Sequence, residues 1–139
     1  MATVKPFKAI RPDAKYADKV ISLPYDVMQE DKPALYIYRQ IMDGRVQTGI
    51  VGCVAVDEYQ NNTIKKHEFT RVEKEKDRIN HFDVCDADTE PVFLTYRDDK
   101  RIRTIMEGYV TNHEPEYDIT SDDGIQHTLW VVDDPELVK

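Results

Sequence analysis

One segment of the sequence holds most of the side chains that could do chemistry. Eleven of its fourteen residues, numbers 65–78, are charged or histidine. Cationic residues recur there at helical spacing, and others stand directly before the predicted helix, where free backbone amides and the helix dipole favour an anion. The predicted ligands of a phosphate or carboxylate in this segment are Lys66, His67, Arg71, Lys74 and Arg78.

Glu68 is the candidate catalytic residue of the same segment. A carboxylate beside cations stays ionised, so it can accept a proton or bind a metal ion in front of a phosphate. The alternative is a solvated helix with Glu68 paired to Lys66 or Arg71, in which each ion pair contributes roughly a few tenths of a kcal/mol. The residues alone leave both interpretations open.

Two further polar residues stand next to predicted strands. Asp26 is the second candidate catalytic residue, as a ligand for a metal ion or a hydroxyl group, although a loop aspartate often accepts hydrogen bonds from its own backbone instead. Arg39 is a candidate anion ligand, because a guanidinium can bind a phosphate through two parallel hydrogen bonds, and pairing with neighbouring acids is the alternative. Histidine and cysteine residues lack the spacing of metal ligands, so we predict no site built from protein ligands alone.

Composition restricts the classes of function. The chain has 139 residues, 27 acidic against 19 basic, a net charge of −8 and 40% hydrophobic residues. This suits a single domain over residues 1–139 with one core. Because a negative protein lacks long-range attraction to phosphate backbones, we expect that nucleic acid is not a partner of this protein. No apolar run approaches the roughly 18 residues of a membrane span, and the two cysteines do not suggest disulfides, so we expect no membrane association and a cytoplasmic protein.

The sequence patterns of the strands and helices that must position these residues predict an α+β fold. Its predicted parts are a mostly antiparallel mixed sheet and about three short helices on one face. Residues 35–41 and 48–56 are predicted to form a hairpin around a turn at Asp43 and Gly44. The second of these strands is apolar on both faces, which is typical of a covered central strand. Further strands are predicted at residues 4–10, 20–23, 91–96 and 128–132.

The helix of the charged segment is predicted over residues 71–81. Thr70 and Glu73 have the spacing of a capping box, in which each side chain accepts a hydrogen bond from the backbone amide of the other residue. This pattern predicts that Thr70 is the N-cap.

Two more helices are predicted towards the C-terminus. Asp98 or Asp99 can cap the first of them, and its apolar residues recur at helical spacing. Pro135 has the position typical of the first residue of the second. The predicted buried stripe of the first helix consists of Ile102, Ile105, Met106 and Tyr109.

Several blocks of the sequence are shared, in the same order, with a known family. They are residues 5–12 (Lys-Pro-Phe-Lys-Ala-Ile-Arg-Pro), 23–28 (Leu-Pro-Tyr-Asp-Val-Met), 36–40 (Tyr-Ile-Tyr-Arg-Gln), 49–52 (Gly-Ile-Val-Gly), 67–71 (His-Glu-Phe-Thr-Arg), with Lys74, Glu75, Asp77 and Arg78, and 91–94 (Pro-Val-Phe-Leu) with Tyr96. In these blocks the chain resembles the bacterial and archaeal proteins grouped as domain of unknown function 1015. The resemblance covers nearly the whole sequence.

The resemblance has implications for function. Members of the family are often described as similar to ParB-type proteins, which implies a distant affinity with the ParB/sulfiredoxin superfamily of CTPases, sulfiredoxins and free-serine kinases. By position, Glu68 then corresponds to the catalytic glutamate of such a kinase. The resemblance implies a phosphoryl-transfer enzyme of serine metabolism that uses ATP or another nucleotide with Mg²⁺, to which Asp26 contributes.

The chain departs from the family in two places. Only residues 29–34 separate two of the shared blocks, and family members continue with a Gly-His-His-Arg segment that resembles a phosphate-binding turn. We therefore expect this chain to be the N-terminal part of a longer architecture and to be inactive alone. Two alternatives stay open: a non-enzymatic module that senses a nucleotide or amino acid, and a docking surface for the missing C-terminal half or for a second copy of the chain.

Overall fold

The computed structural model describes residues 2–13, 27–68, 70–89 and 91–138. Within these residues the chain has both antiparallel sheets and three helices, which confirms the predicted α+β class. Two compact units are distinguished: residues 1–3 with 54–96, and residues 4–53 with 97–139. Asp26 and the strand predicted at 20–23 lie outside the described residues. No helix of the described part is long and apolar enough to cross a membrane.

The elements follow one another in a mixed order. The strands are β1 (Val4–Lys5), β2 (Ile10–Pro12), β3 (Val27–Gln29), β4 (Leu35–Met42), β5 (Arg45–Val51), β6 (Cys53–Val54), β7 (Tyr117–Thr120) and β8 (Gln126–Val132). The helices are α1 (Val56–Gln60), α2 (Val72–Cys85) and α3 (Lys100–Asn112).

A four-stranded antiparallel sheet with the order β5-β4-β8-β7 forms the centre of the second unit. The predicted hairpin of β4 and β5 is confirmed, and Asp43 and Gly44 at its turn have positive φ angles of 51° and 75°, as a tight two-residue turn requires. The predicted central position of the second strand is wrong. β5 lies at the sheet edge, and its Val46 is 62% exposed. The inner strand of the hairpin is β4, whose other side pairs with β8, a segment remote in sequence.

Helix α3 packs on one face of this sheet. Trp130 and Tyr109 belong to the buried cluster between them, and the Tyr109 hydroxyl donates to the Val131 carbonyl at 2.7 Å. The capping prediction is confirmed at Asp99, which accepts from the Arg101 amide at 2.8 Å; the side chain and amide of that residue hold the pKa of Asp99 at about 2. Ile105 is exposed, so the predicted stripe is wrong at that position, which lies on the flank of the packed face.

The N-terminal segment covers the opposite face of the same sheet. Tyr36 alternates with Ile37 along β4 and therefore points away from α3. Its hydroxyl accepts from the Ala9 amide at 3.2 Å and donates to the Phe7 carbonyl at 3.3 Å. Tyr117 makes the corresponding contact farther across the sheet, with its hydroxyl donating to the carbonyl of Pro12. These tyrosines attach a chain segment that includes β2, which pairs with β3, to the sheet.

The first unit contains α1 and α2. Helix α2 confirms the predicted helix and extends it to Cys85, but its N-cap is Arg71, and within the described part of the chain no side chain caps it. The capping box of Thr70 and Glu73 is therefore wrong. Residue 70 lies one position too early to accept from the first-turn amides.

Two other predicted elements are absent from residues that the structure describes. Residues 91–96 form no strand, and Phe93 is exposed; strand-forming side chains need a neighbouring strand, and none in the described ranges pairs with them. The predicted C-terminal helix is only a turn, in which the Asp134 carboxylate accepts from the Glu136 amide at 2.9 Å. β7 and the short helix α1 are elements that the sequence patterns did not predict.

Candidate functional site

The charged segment forms an open cavity of about 390 Å³ at the start of α2. Its lining residues are Glu68, Thr70, Arg71 and Lys74. Glu68, Thr70 and Arg71 precede the helix in sequence, and Lys74 belongs to its first turn. The structure thus brings together three of the predicted site residues, namely Glu68, Arg71 and Lys74. Thr70 joins them as a wall of the cavity rather than as a helix cap.

The side chains that line this cavity suit an anion bound next to a hydroxyl group of the ligand. Arg71 and Lys74 contribute two positive charges, and Glu68 contributes one negative charge. Because no side chain in the described ranges caps α2, the amides of its first turn keep their attraction for an acceptor. Glu73 and Glu75 in that turn offset part of the positive potential. The cavity can hold a phosphate beside a carboxylate, and a carboxylate in that position can accept a proton from a hydroxyl group that lies next to the phosphate.

Lys66 and His67 lie in the same unit but do not line the cavity. The ammonium group of Lys66 stands 4.6 Å from the centroid of the Tyr59 ring, a cation–π distance. His67 is exposed between Lys66 and Glu68. The predicted role of these two residues as phosphate ligands is not supported by a shared cavity.

Arg78 lines a second cavity, of about 410 Å³, farther along α2. His81, which shares it, has its Nδ1 3.2 Å from the Thr89 hydroxyl and its Nε2 3.7 Å from the Cys85 sulfur. The other described lining residues are Phe82, Ala87, Asp88, Pro91 and Val92. The sequence analysis named Arg78 but missed the cavity. The spacing of His81 and Cys85, four residues apart on a helix, was the one local signal for it.

Arg39 belongs to the unit of the four-stranded sheet. Its guanidinium carbon lies 5.0 Å from the Trp130 ring centroid, and its Nε donates to the Thr48 hydroxyl at 3.3 Å. These contacts give Arg39 a packing role on the sheet face, within a unit that does not contain α2. The other predicted catalytic residue, Asp26, lies outside the described residues.

A hydrogen-bonded chain of polar side chains crosses the end of the β7–β8 hairpin. The Tyr38 hydroxyl is 2.6 Å from His127 Nδ1, His127 Nε2 is 3.0 Å from the Ser121 hydroxyl, and that hydroxyl donates to Asp123 at 2.5 Å. Burial raises the pKa of Tyr38, and the Ser121 hydrogen bond lowers the pKa of Asp123. Asp123 therefore stays an acceptor.

The direction of these hydrogen bonds decides what the chain of groups can do. The Ser121 hydroxyl has one proton and two acceptors within reach, Asp123 and the Ile125 carbonyl at 3.1 Å. When either of them takes that proton, a neutral His127 donates from Nε2 to Ser121 and accepts from Tyr38 at Nδ1. His127 is then not the base for the serine, and the arrangement fixes a turn rather than activating a nucleophile.

In the described ranges, no three His, Cys, Asp or Glu residues come together as a metal site. Glu68 is the one acidic residue among the four that line the first cavity. Since Mg²⁺ is often held by one or two carboxylates together with substrate phosphates, this lining fits Mg²⁺ bound jointly with a phosphate ligand.

A family model described as "Protein of unknown function (DUF1015)" matches residues 27–139. The matched region includes β3 to β8, all three helices and both cavities. Neither the curated proteins nor the solved structures give a match. Because the family match covers more than half of the chain, it confirms the resemblance seen in the shared blocks, and the chain belongs to the DUF1015 family.

Proposed function

We propose that this chain binds the phosphate groups of a nucleotide or phosphometabolite in the cavity of Glu68, Thr70, Arg71 and Lys74. The supporting observation is that these residues, three of them chosen from sequence for this chemistry, line one cavity at the uncapped start of α2. We further propose that the cavity is part of a cytoplasmic phosphoryl-transfer enzyme acting on a hydroxyl such as that of free serine.

Three of the four lining residues have a defined part in such a reaction. Arg71 and Lys74 bind the phosphate oxygens and offset the negative charge there, which is the main contribution of protein to phosphoryl transfer. Glu68 accepts the proton of the hydroxyl group as its oxygen attacks phosphorus and the bond to the leaving phosphate breaks. In its alternative role, as a metal ligand instead of the base, Glu68 would hold Mg²⁺ together with the ligand's phosphates, and the ion would supply further charge neutralisation.

A distant relation to the ParB/sulfiredoxin superfamily is part of this proposal. Its basis is the position of Glu68 in the shared blocks of sequence, as in the serine kinases of that superfamily. A solved structure of a family member that carries the Gly-His-His-Arg segment would test the relation, because that segment resembles the phosphate-binding turn of the superfamily.

Thermal unfolding in the presence of phosphate compounds tests the binding site directly. The probes are ATP, ADP, CTP, phosphoserine and serine, each with and without Mg²⁺. A ligand at about one hundred times its Kd stabilises the fold by roughly 2.7 kcal/mol, so the midpoint rises measurably. We expect Arg71→Ala to remove the rise. Lys76→Ala is the matched control, because it deletes a cation of the same helix outside both cavities.

The same variants separate binding from catalysis. In a form of the protein that shows turnover, Glu68→Gln should bind the nucleotide but lose most of that turnover, since the amide cannot take a proton. Unchanged turnover in Glu68→Gln would favour the alternative, a regulatory module in which Glu68 only orients Arg71. An identical thermal shift in Arg71→Ala and wild type would contradict the binding proposal itself.

A further inference from the structure

The two cavities of the first unit lie along one face of α2. With about 100° between successive helical residues, the α2 residues that line them fall within about a quarter of the circumference. These residues are Lys74 in the first cavity and Arg78, His81 and Phe82 in the second. Lys74 and Arg78 are four residues apart and therefore neighbours on the helix surface. One elongated ligand can contact both cavities without leaving this face.

The chemistry of the second cavity differs from that of the first. Its apolar side chains are accessible, with Phe82 51% and Val92 82% exposed. Polar groups stand beside them, among them the imidazole of His81 and the hydroxyl of Thr89, which are in contact with each other. An aromatic ring flanked by hydrogen-bonding groups is the lining that binds a nucleobase, which has a flat apolar surface and polar edges.

We infer that the ligand of α2 is a nucleoside polyphosphate whose phosphates occupy the first cavity and whose base occupies the second. The inference rests on the proposed function and adds to it the class of ligand and its orientation. Lys74 and Phe82 are eight residues apart, which is about 12 Å along the helix axis. An extended nucleotide has its charged and aromatic ends separated on this scale. Arg78 lies between Lys74 and Phe82 on the same face of the helix, in the lining of the second cavity.

A compound with phosphate alone would use only half of this surface. Phosphoserine or inorganic tripolyphosphate meets Arg71 and Lys74 but has no group to cover Phe82. A nucleoside without phosphate meets Phe82 but leaves the cations of the first cavity without a partner from the ligand. The affinity of the intact nucleotide should therefore exceed that of either part.

Isothermal titration of the chain with ATP, tripolyphosphate and adenosine, in the presence of Mg²⁺, tests this arrangement. We expect Phe82→Ala to weaken ATP binding by about tenfold, the usual effect of removing an aromatic side chain that stacks on a base, and to leave tripolyphosphate binding unchanged. Phe82→Tyr keeps the ring and should keep the affinity. Val84→Ala is the matched control, because Val84 is an exposed residue of α2 outside both cavities.

The outcomes distinguish this inference from the function on which it depends. If tripolyphosphate binds wild type but not Arg71→Ala, while ATP binds no more tightly and is indifferent to Phe82→Ala, the phosphate site stands and the base site is overturned. If neither ATP nor tripolyphosphate binds, both are overturned. Equal loss of ATP and tripolyphosphate affinity in Phe82→Ala would also overturn the base site, since it would show a general disturbance of the helix.

Discussion

Arg11 has several partners among the described residues in the unit of the four-stranded sheet. Only 11% of its side chain is exposed, and it contacts Glu30, Glu116 at 2.9 Å and the Tyr117 hydroxyl at 2.6 Å. Burial acts to lower the pKa of Arg11, but the hydrogen bonds with Tyr117 and Glu30 outweigh it and the pKa lies above its ordinary value. The guanidinium is therefore a permanent link between β2, the end of β3 and β7.

Removing this guanidinium should be costly. We expect Arg11→Ala to lower the free energy of unfolding by about 2 to 3 kcal/mol, because the largely buried Glu30 carboxylate loses its partner. Arg103→Ala, which deletes an exposed ion pair with Asp98, should change it by under about 0.5 kcal/mol. Urea unfolding of the two variants gives both values. Equal effects would mean that the cluster around Arg11 is no more than a surface ion pair.

At the scale of single elements, two glycines with equal space around them should respond to alanine in opposite directions. A Cβ at Gly44 or at Gly108 would meet no atom within 4 Å. Gly44 has a φ of 75°, a left-handed conformation that alanine adopts at a cost of about 1 kcal/mol. Gly108 lies inside α3, where alanine is favoured by about 1 kcal/mol.

Thermal unfolding should therefore show a lower Tm for Gly44→Ala and a higher Tm for Gly108→Ala. Since neither position has a steric conflict, the difference reports backbone conformation alone. A loss of stability in both variants would show that α3 cannot accommodate the added methyl group against the sheet.

What the sequence predicts correctly in these elements is local. The alternation of β4, the turn at Gly44 and the cap at Asp99 each depend on residues within a few positions, and all three are confirmed. The position of β5 at the sheet edge depends on the pairing of β4 with β8, almost ninety residues away in sequence. No periodicity within a strand carries that information.

The same distinction applies to the candidate site. The first cavity was predictable because Glu68, Arg71 and Lys74 are neighbours in sequence and a single helix start positions them. The second cavity requires α2 to meet the non-helical residues 87–89 and 91–92, and the bulky residues that begin at Pro91 predicted a strand instead. Arg39 was chosen for its residue type, but its strand places it in the sheet unit, against Trp130.

At the scale of the whole molecule, the two compact units differ in how their helices are held. The buried cluster of Ile37, Tyr109, Trp130 and Val132 lies in the sheet unit. Helix α2, all of which the structure describes, has no buried residue. Few buried apolar contacts favour local opening, so the amides of α2 should exchange with solvent deuterium well before those of β4 and β8.

Ligand binding should slow the exchange of the α2 amides and so reduce the difference in exchange rate between α2 and the strands β4 and β8. If α2 binds ATP along one face, opening the helix requires release of the ligand, and at about one hundred times the Kd its exchange should slow by up to about a hundredfold. Arg71→Ala should abolish the slowing and leave the exchange of β4 unchanged. Slow exchange of the α2 amides without any ligand would contradict this prediction. It would mean that packing already holds the helix in place, so that a ligand on its charged face is not needed to stabilise the unit.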